Sequence, residues 1–517
     1  MSEAMRYHDT RGLDPSRPTF TEVVIKGIAQ GGGLYVPDAL PSLNLDQILN
    51  LCRLSYAQRA DEIFRLFGVD VPSERTAALL AQAFGDNFDH PAVAPVVAIT
   101  PEIHVLELWH GPTSAFKDMA LQCMPHFFSE AIAMRRAAGH DVPDYLVLVA
   151  TSGDTGKAAL EGFADRPSTR IAIFYPAEGV SDIQRRQMVT QRGGNVAVFG
   201  VHGNFDDCQA AVKAAFNDAP FNDALRAALH TELSSANSIN WGRLLPQIVY
   251  YASAYADMVA ASALSAGDPL DVCVPTGNFG NILAAFYAKR MGVPLGRLLC
   301  ASNENNVLSD FIDTGVYDIA ERAFVQTPSP SMDILISSNL ERALYELGRD
   351  PERVRGWMND LAATRRFQID DGTYASLREH FVGDYCSNEE SLATIARIHA
   401  ATGYLLDPHT AVAWTVAEKH RVDGPVLVVA TAHWAKFGED VYRALSAVPY
   451  DAPLPAGAAG MSGLELLREV RRLAPGQHVP APLAELDTLP ERFTKTVEGT
   501  RQGVEDAVRE WLEAAAE

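Results

Sequence analysis

At 517 residues with 47% hydrophobic side chains, the chain can bury sizeable cores over roughly three domains, which excludes a disordered scaffold. Its 65 acidic residues outnumber 43 basic ones, and the net charge of −22 argues against general nucleic-acid or anionic-membrane binding, because phosphate polymers are repelled at long range. The six cysteines, Cys52, Cys123, Cys208, Cys273, Cys300 and Cys386, form no Cys-x-x-Cys pair, no apolar run is long enough to span a bilayer, and the amino terminus carries no signal core, so a reduced, cytoplasmic protein is expected.

In chain order, residues 45–53, 56–66 and 73–84 repeat apolar residues at three- and four-residue spacing and predict helices. The pattern breaks over residues 87–95, where Asp, His and Pro mark a boundary. Short strands then alternate with helices: 145–150, 170–175, 196–201, 270–275, 297–301 and 425–430. Such alternation argues for an α/β fold of parallel sheets with helices on both faces. Residues 448–463, rich in Pro, Gly and Ala, read as a linker or covering arm, followed by helices over 464–473 and 504–515. On the last of these Val504, Val508, Trp511, Leu512 and Ala515 form an apolar stripe that docks on the body or on a second copy.

Four loops carry chemistry. The first is HGPTSAFKD (residues 110–118), where Lys117 stands at the mouth of a helix; the positive helix end favours a neutral amine and so imine formation with an aldehyde. Taken alone, such a lysine is ordinarily a solvated surface charge. The second is TSGDTG (151–156) after the strand YLVLVA: hydroxyls, an acid and two glycines form a lip for an anionic group, or else a helix start capped by Asp154 or Thr155. The third is TGNFGN (276–281) after LDVCVP, a strand, glycine turn and helix start that suits a phosphate dianion without completing a dinucleotide fingerprint or a Gly-x-x-x-x-Gly-Lys loop. The fourth is TAHWAKF (431–437) after PVLVVA. Loops at the carboxyl ends of parallel strands converge on one crevice. A lysine, a phosphate cradle and a carboxylate grip together suggest pyridoxal phosphate and an amino acid. His110, His409 and His433 do not group at ligand spacing and read as hydrogen-bonded wall residues, so no metal is expected.

These segments, with NSINWGR (237–243), resemble in sequence and order the motif series of the threonine synthase family, pyridoxal-phosphate enzymes of the tryptophan-synthase-β-like fold. RYHDTRG (6–12) and GGGLYVP (31–37) are similar to the family's amino-terminal signatures. ASNENN (301–306), PSMDI (330–334) and DPHTA (407–411) extend the likeness across residues 6–445. The resemblance implies a helical amino-terminal domain (1–90), a catalytic region with large and small α/β subdomains (91–447), and a linker with a carboxy-terminal helical extension (448–517). It implies that Lys117 holds the cofactor as an imine and later moves protons at Cα and Cβ. Gly277, Asn278, Phe279, Gly280 and Asn281 bind the cofactor phosphate, and Thr431 bonds the pyridine nitrogen. Asp154, where many relatives carry Asn, approaches the cofactor 3-hydroxyl. Thr151, Ser152, Gly153 and Thr155 grip the substrate carboxylate, and Asn237, Ser238, Asn240 and Arg243 receive the substrate phosphate.

The implied reaction turns O-phospho-L-homoserine and water into L-threonine and phosphate, by γ-elimination and β-hydration. A phospholyase on the same scaffold, releasing 2-oxobutyrate, ammonia and phosphate, is the rival. Trp434 stands where the family has proline and reshapes that wall. A non-catalytic relative would be expected to lack Lys117. The expected partner is the small-molecule substrate alone, bound by a monomer or homodimer with no nucleic acid and no membrane.

Overall fold

Two parallel sheets organise the chain in the computed structural model, which describes residues 4–177, 180–421 and 424–514. The larger runs Phe381–Tyr385, Leu295–Ser302, Leu270–Pro275, Val426–Ala430, Ile103–Glu107, Val96–Ala98, and only the last strand is antiparallel to its neighbour. The smaller runs Thr496–Glu498, Val196–His202, Thr169–Pro176, Asp144–Ala150, Thr231–Ser234 and is parallel throughout. Parallel neighbours need crossovers, and the intervening helices provide them. Leu270–Pro275 and Val426–Ala430 are buried along their whole length. That is why Val426–Ala430 reads as a continuous apolar run; Leu270–Pro275 alternates only because of Asp271, whose carboxylate accepts from Arg297 at 2.7 Å.

The predicted strands are all present within one or two residues at each end. Leu45–Asn50 is helical but tightens into a 3₁₀ turn over Leu51–Arg53, so the predicted helix 45–53 is two pieces. Five strands of these two sheets escaped the sequence reading: Val96–Ala98, Ile103–Glu107, Thr231–Ser234, Phe381–Tyr385 and Thr496–Glu498. The last corrects the picture of a purely helical extension, since it adds an edge to the smaller sheet. Helix Arg501–Ala514 then lays Val504, Val508 and Leu512 against Cys208, Ala211 and Val212 of helix Phe205–Phe216. Each such side chain contributes about 1.5–3 kcal/mol when buried. The stripe therefore docks on the body; Ala515 lies outside the described residues.

The amino-terminal signatures have structural reasons. The Asp9 carboxylate accepts the N–H groups of Arg11 and Asp14, each at 2.9 Å, and a Cβ on Gly33 would collide with it. Thr10 and Arg11 reach Glu341 at 2.5–2.9 Å. The fully buried Arg342 donates to the carbonyls of Tyr35 (3.0 Å) and Ile239 (2.5 Å) and to Asn339 Oδ1 (2.7 Å). One guanidinium thus ties the amino-terminal hairpin to two loops of the crevice. Among the described residues, no helix is long and apolar enough to cross a membrane.

Candidate active site around Lys117

Lys117 precedes the four-residue helix Asp118–Leu121, not a long one; the long helix begins at Met124. The loop before it is closed by Asp118, whose carboxylate accepts the Thr113 N–H (2.8 Å) and hydroxyl (2.7 Å). It is sewn to the TAHWAKF loop by an Ala115–Ala432 bridge, by Phe116 N–H to the Thr431 carbonyl (2.7 Å) and by His433 N–H to the Ser114 carbonyl (3.1 Å). The Lys117 ammonium donates to Ser331 Oγ at 3.4 Å and lies 3.8 Å from Asp154 Oδ2. Burial pushes its pKa down to about 8; Asp154 opposes the shift, while Lys436 and Arg243 add to it.

Asp154 begins helix Asp154–Phe163, but the cap is Gly153, so neither Asp154 nor Thr155 caps it. Its Oδ1 accepts from Lys436 (2.7 Å) and Gln184 (2.9 Å), and its Oδ2 from Ser331 Oγ (3.2 Å). Burial would raise its pKa, but Lys436 and Lys117 outweigh that and hold it ionised. Gly153 sits at φ +145°, and a Cβ there would lie 2.6 Å from the Gln184 side chain. The Thr151 hydroxyl is spent inside its own loop, accepting the N–H groups of Gly153 (3.1 Å) and Gly156 (2.9 Å). Ser152 is exposed and Thr155 half-buried in the same loop.

The glycine turn after Pro275 forms a cradle of backbone donors at a helix start. Phe279 takes a left-handed conformation (φ +61°) as the cap of helix Gly280–Met291. By helix geometry the N–H groups of Gly280, Asn281 and Ile282 have no intrahelical acceptor. Asn281 Oδ1 accepts from the hydroxyls of Tyr250 and Tyr251, both at 2.6 Å, while its buried Nδ2 has no partner. A Cβ on Gly277 would stand 3.0 Å from the Ser331 carbonyl, so the cradle and Lys117 meet at Ser331. Unpaired donors, the helix end and a nearby amine fit the phosphate and aldehyde ends of pyridoxal phosphate. Thr431 is buried at the third corner.

The NSINWGR segment splits. Asn240 caps helix Trp241–Ala260 through Gly242 N–H (2.9 Å) and donates to the Val24 carbonyl (2.8 Å), so its amide is engaged in holding the segment. Asn237 is exposed; Ser238 Oγ lies 3.3 Å from Ser338 Oγ, which donates to Asn278 Oδ1 at 3.2 Å. Arg243 is buried, donates to the Ala236 carbonyl at 2.8 Å, leaves Nε unpartnered and has no carboxylate partner among the described residues. Burial pushes its pKa down to about 10.

The sequence reading named no role for Ser331, Gln184 or Lys436, although PSMDI and TAHWAKF contain two of them. The histidines are hydrogen-bonded walls. His110 bridges Asp89 (2.6 Å) and Glu107 (2.9 Å), His409 joins Asp407 and accepts the Ser331 N–H, and burial drives the pKa of His433 to about 3. Trp434 lines a cavity of about 120 Å³ with Glu107, Trp109, Tyr404 and His433.

The chain matches the family described as "Threonine synthase N terminus" over residues 6–84, "Pyridoxal-phosphate dependent enzyme" over 95–432 and "Threonine synthase, C-terminal" over 410–508. It is 45% identical over 439 residues to threonine synthase-like 1 of Homo sapiens, covering 82% of this chain and 58% of that protein, and so spans little more than half of that relative. It is 39% identical over 447 residues to threonine synthase of Pseudomonas aeruginosa, covering 85% of this chain and 90% of that one. Among solved structures it is similar to the pyridoxal-phosphate-bound threonine synthase from Brucella melitensis, with a TM-score of 0.84, 37% identity and coverage of 98% and 99%. The yeast threonine synthase gives a TM-score of 0.86, 33% identity and 99% coverage of both chains. With the cradle, the buried amine and these matches in agreement, the chain belongs to the threonine synthase family of pyridoxal-phosphate-dependent enzymes.

Proposed function

We propose that this protein converts O-phospho-L-homoserine and water into L-threonine and inorganic phosphate, the last step of threonine biosynthesis. Arg243 carries the reading: a buried guanidinium with an unpaired Nε and, among the described residues, no carboxylate counter-ion suits a phosphate monoester brought in by a ligand. The bound cofactor supplies an electron sink for negative charge developing on the substrate.

The chain's own residues do the rest. Lys117 carries the cofactor and, when its amine is free, takes and returns protons at the substrate Cα and Cβ; its lowered pKa of about 8 suits both directions near neutral pH. Gly277, Asn278, Phe279, Gly280 and Asn281 hold the cofactor phosphate, Thr431 the ring nitrogen, and the ionised Asp154 stands on the ring-hydroxyl side. Ser152 and Thr155 offer hydroxyls to the substrate carboxylate from a loop that Thr151 and Gly153 keep in shape. Asn237 and Ser238 join Arg243 at the phosphate, with Asn240 anchoring the segment. We read the protein as cytoplasmic and acting on this small molecule as a monomer or homodimer, with the catalytic region at 91–447 between the amino-terminal domain and the extension.

The test is product analysis on O-phosphohomoserine. Threonine and phosphate in equal amounts support the proposal. Ammonia, 2-oxobutyrate and phosphate would assign a phospholyase instead. Trapping with borohydride on a peptide other than that of Lys117 would overturn the site.

A further inference from the structure

Lys436 has no solvent exposure, and its amine meets a carboxylate, that of Asp154. A buried ammonium is tolerated only when paired and hydrogen-bonded. Its two acceptors are Asp154 Oδ1 at 2.7 Å and the Thr113 carbonyl at 2.9 Å, the latter on the loop that delivers Lys117. Asp154 therefore stands between two ammonium groups, in contact with Lys436 through one oxygen and 3.8 Å from Lys117 through the other. Ser331 Oγ fills the wider gap, 3.4 Å from Lys117 Nζ and 3.2 Å from Oδ2.

We propose that Lys436 is a positioning residue: by holding Asp154 through Oδ1, it keeps the loose 3.8 Å pair of Oδ2 with Lys117 from closing to direct contact, so the Lys117 amine can lose its proton to solvent and condense with the cofactor aldehyde, releasing water. The inference rests on Lys117 being the attachment point. The titratable groups facing Lys117 are Asp154, Lys436, Arg243 and Asp118, with His409 behind the Ser331 N–H. Of these, Lys436 is the cation that touches Asp154. Without it, Asp154 would turn to Lys117, and both the new pair and the lost repulsion would make the amine harder to deprotonate.

The experiment follows Lys117 itself. The full-length chain freed of cofactor is incubated with pyridoxal over a range of pH, reduced with borohydride, and the labelled Lys117 peptide is quantified by mass spectrometry. Labelling of the unaltered chain should rise with a midpoint near pH 8. Lys436→Met should move that midpoint up by about one unit or more, and adding Asp154→Asn should bring it back to the original value or below. Lys436→Gln keeps a donor for Asp154 and Thr113 and loses only the charge, so its midpoint should move up by less than that of Lys436→Met; it guards against failure of the Met variant to fold. An unmoved midpoint in a folded Lys436→Gln or Lys436→Met chain, or a shift that persists with Asp154→Asn, overturns the role of Lys436. Absence of label on Lys117 in the unaltered chain overturns the attachment point itself, a separate result.

Discussion

Arg243→Met should separate stability from activity. Burial lowers the Arg243 pKa from the ordinary guanidinium range to about 10, which at 1.36 kcal/mol per unit means the charged form carries a penalty of about 3 kcal/mol. The side chain recovers part of this through the Ala236 carbonyl. Methionine removes the penalty but forfeits that bond, about 1–2 kcal/mol with the carbonyl left unpaired. The net change in stability is therefore expected to lie between zero and a gain of about 1–2 kcal/mol. Activity goes the other way. A guanidinium gripping a phosphate supplies charge-assisted hydrogen bonds of about 1.5–3 kcal/mol each, so two of them lost should lower kcat/KM on O-phosphohomoserine by about 10²–10⁴. Phosphate release kinetics measure the one, and denaturant unfolding with and without inorganic phosphate the other. The unaltered chain should gain stability from phosphate and the variant should not. A variant that loses more than about 2 kcal/mol yet keeps kcat/KM within about tenfold would refute a ligand-directed Arg243.

Three further outcomes can be measured. Gly153→Ala should destabilise the fold by about 3 kcal/mol, because φ +145° excludes a side chain and the Cβ would dislodge Gln184 from Asp154; a change under about 0.5 kcal/mol in urea unfolding contradicts the geometry. Asn281→Leu strips the acceptor from the Tyr250 and Tyr251 hydroxyls and removes the free Nδ2, and should weaken pyridoxal phosphate binding by about 10–100-fold in a fluorescence titration. His110 supplies a pH dependence: burial alone would lower its pKa, but Asp89 and Glu107 raise it above the usual 6.5. Its stabilisation is then fully present below pH 6.5 and fades as pH rises through the higher folded value. Melting temperatures across that window should fall less steeply in His110→Gln than in the unaltered chain.

The crevice was legible where burial and turn chemistry write local patterns. Val426–Ala430 is apolar throughout and Leu270–Pro275 is broken only by Asp271, both being buried along their length, and each runs into a loop that opens on a threonine, Thr431 or Thr276. Ile103–Glu107 was not legible, although it pairs with Val426–Ala430 along its full length, because His104 and Glu107 interrupt the apolar run. Residue type does not give direction either: the Thr151 hydroxyl and the Asn240 amide oxygen accept backbone N–H groups a few residues on, which only the fold shows. Lys436 and Asp154 are far apart in sequence, and an ion pair of that kind leaves no periodic trace; only the fold brings them together.

The edge strand Thr496–Glu498 has a consequence for synthesis. Every residue assigned to the crevice precedes it, yet the Gly200–His202 end of strand Val196–His202 keeps its outer peptide groups bare until that late segment arrives to pair with it. A nascent chain, or one cut short by a premature stop codon, would display a sticky border beside an otherwise complete pocket, inviting aggregation of the polypeptide before it had lost a single assigned crevice residue.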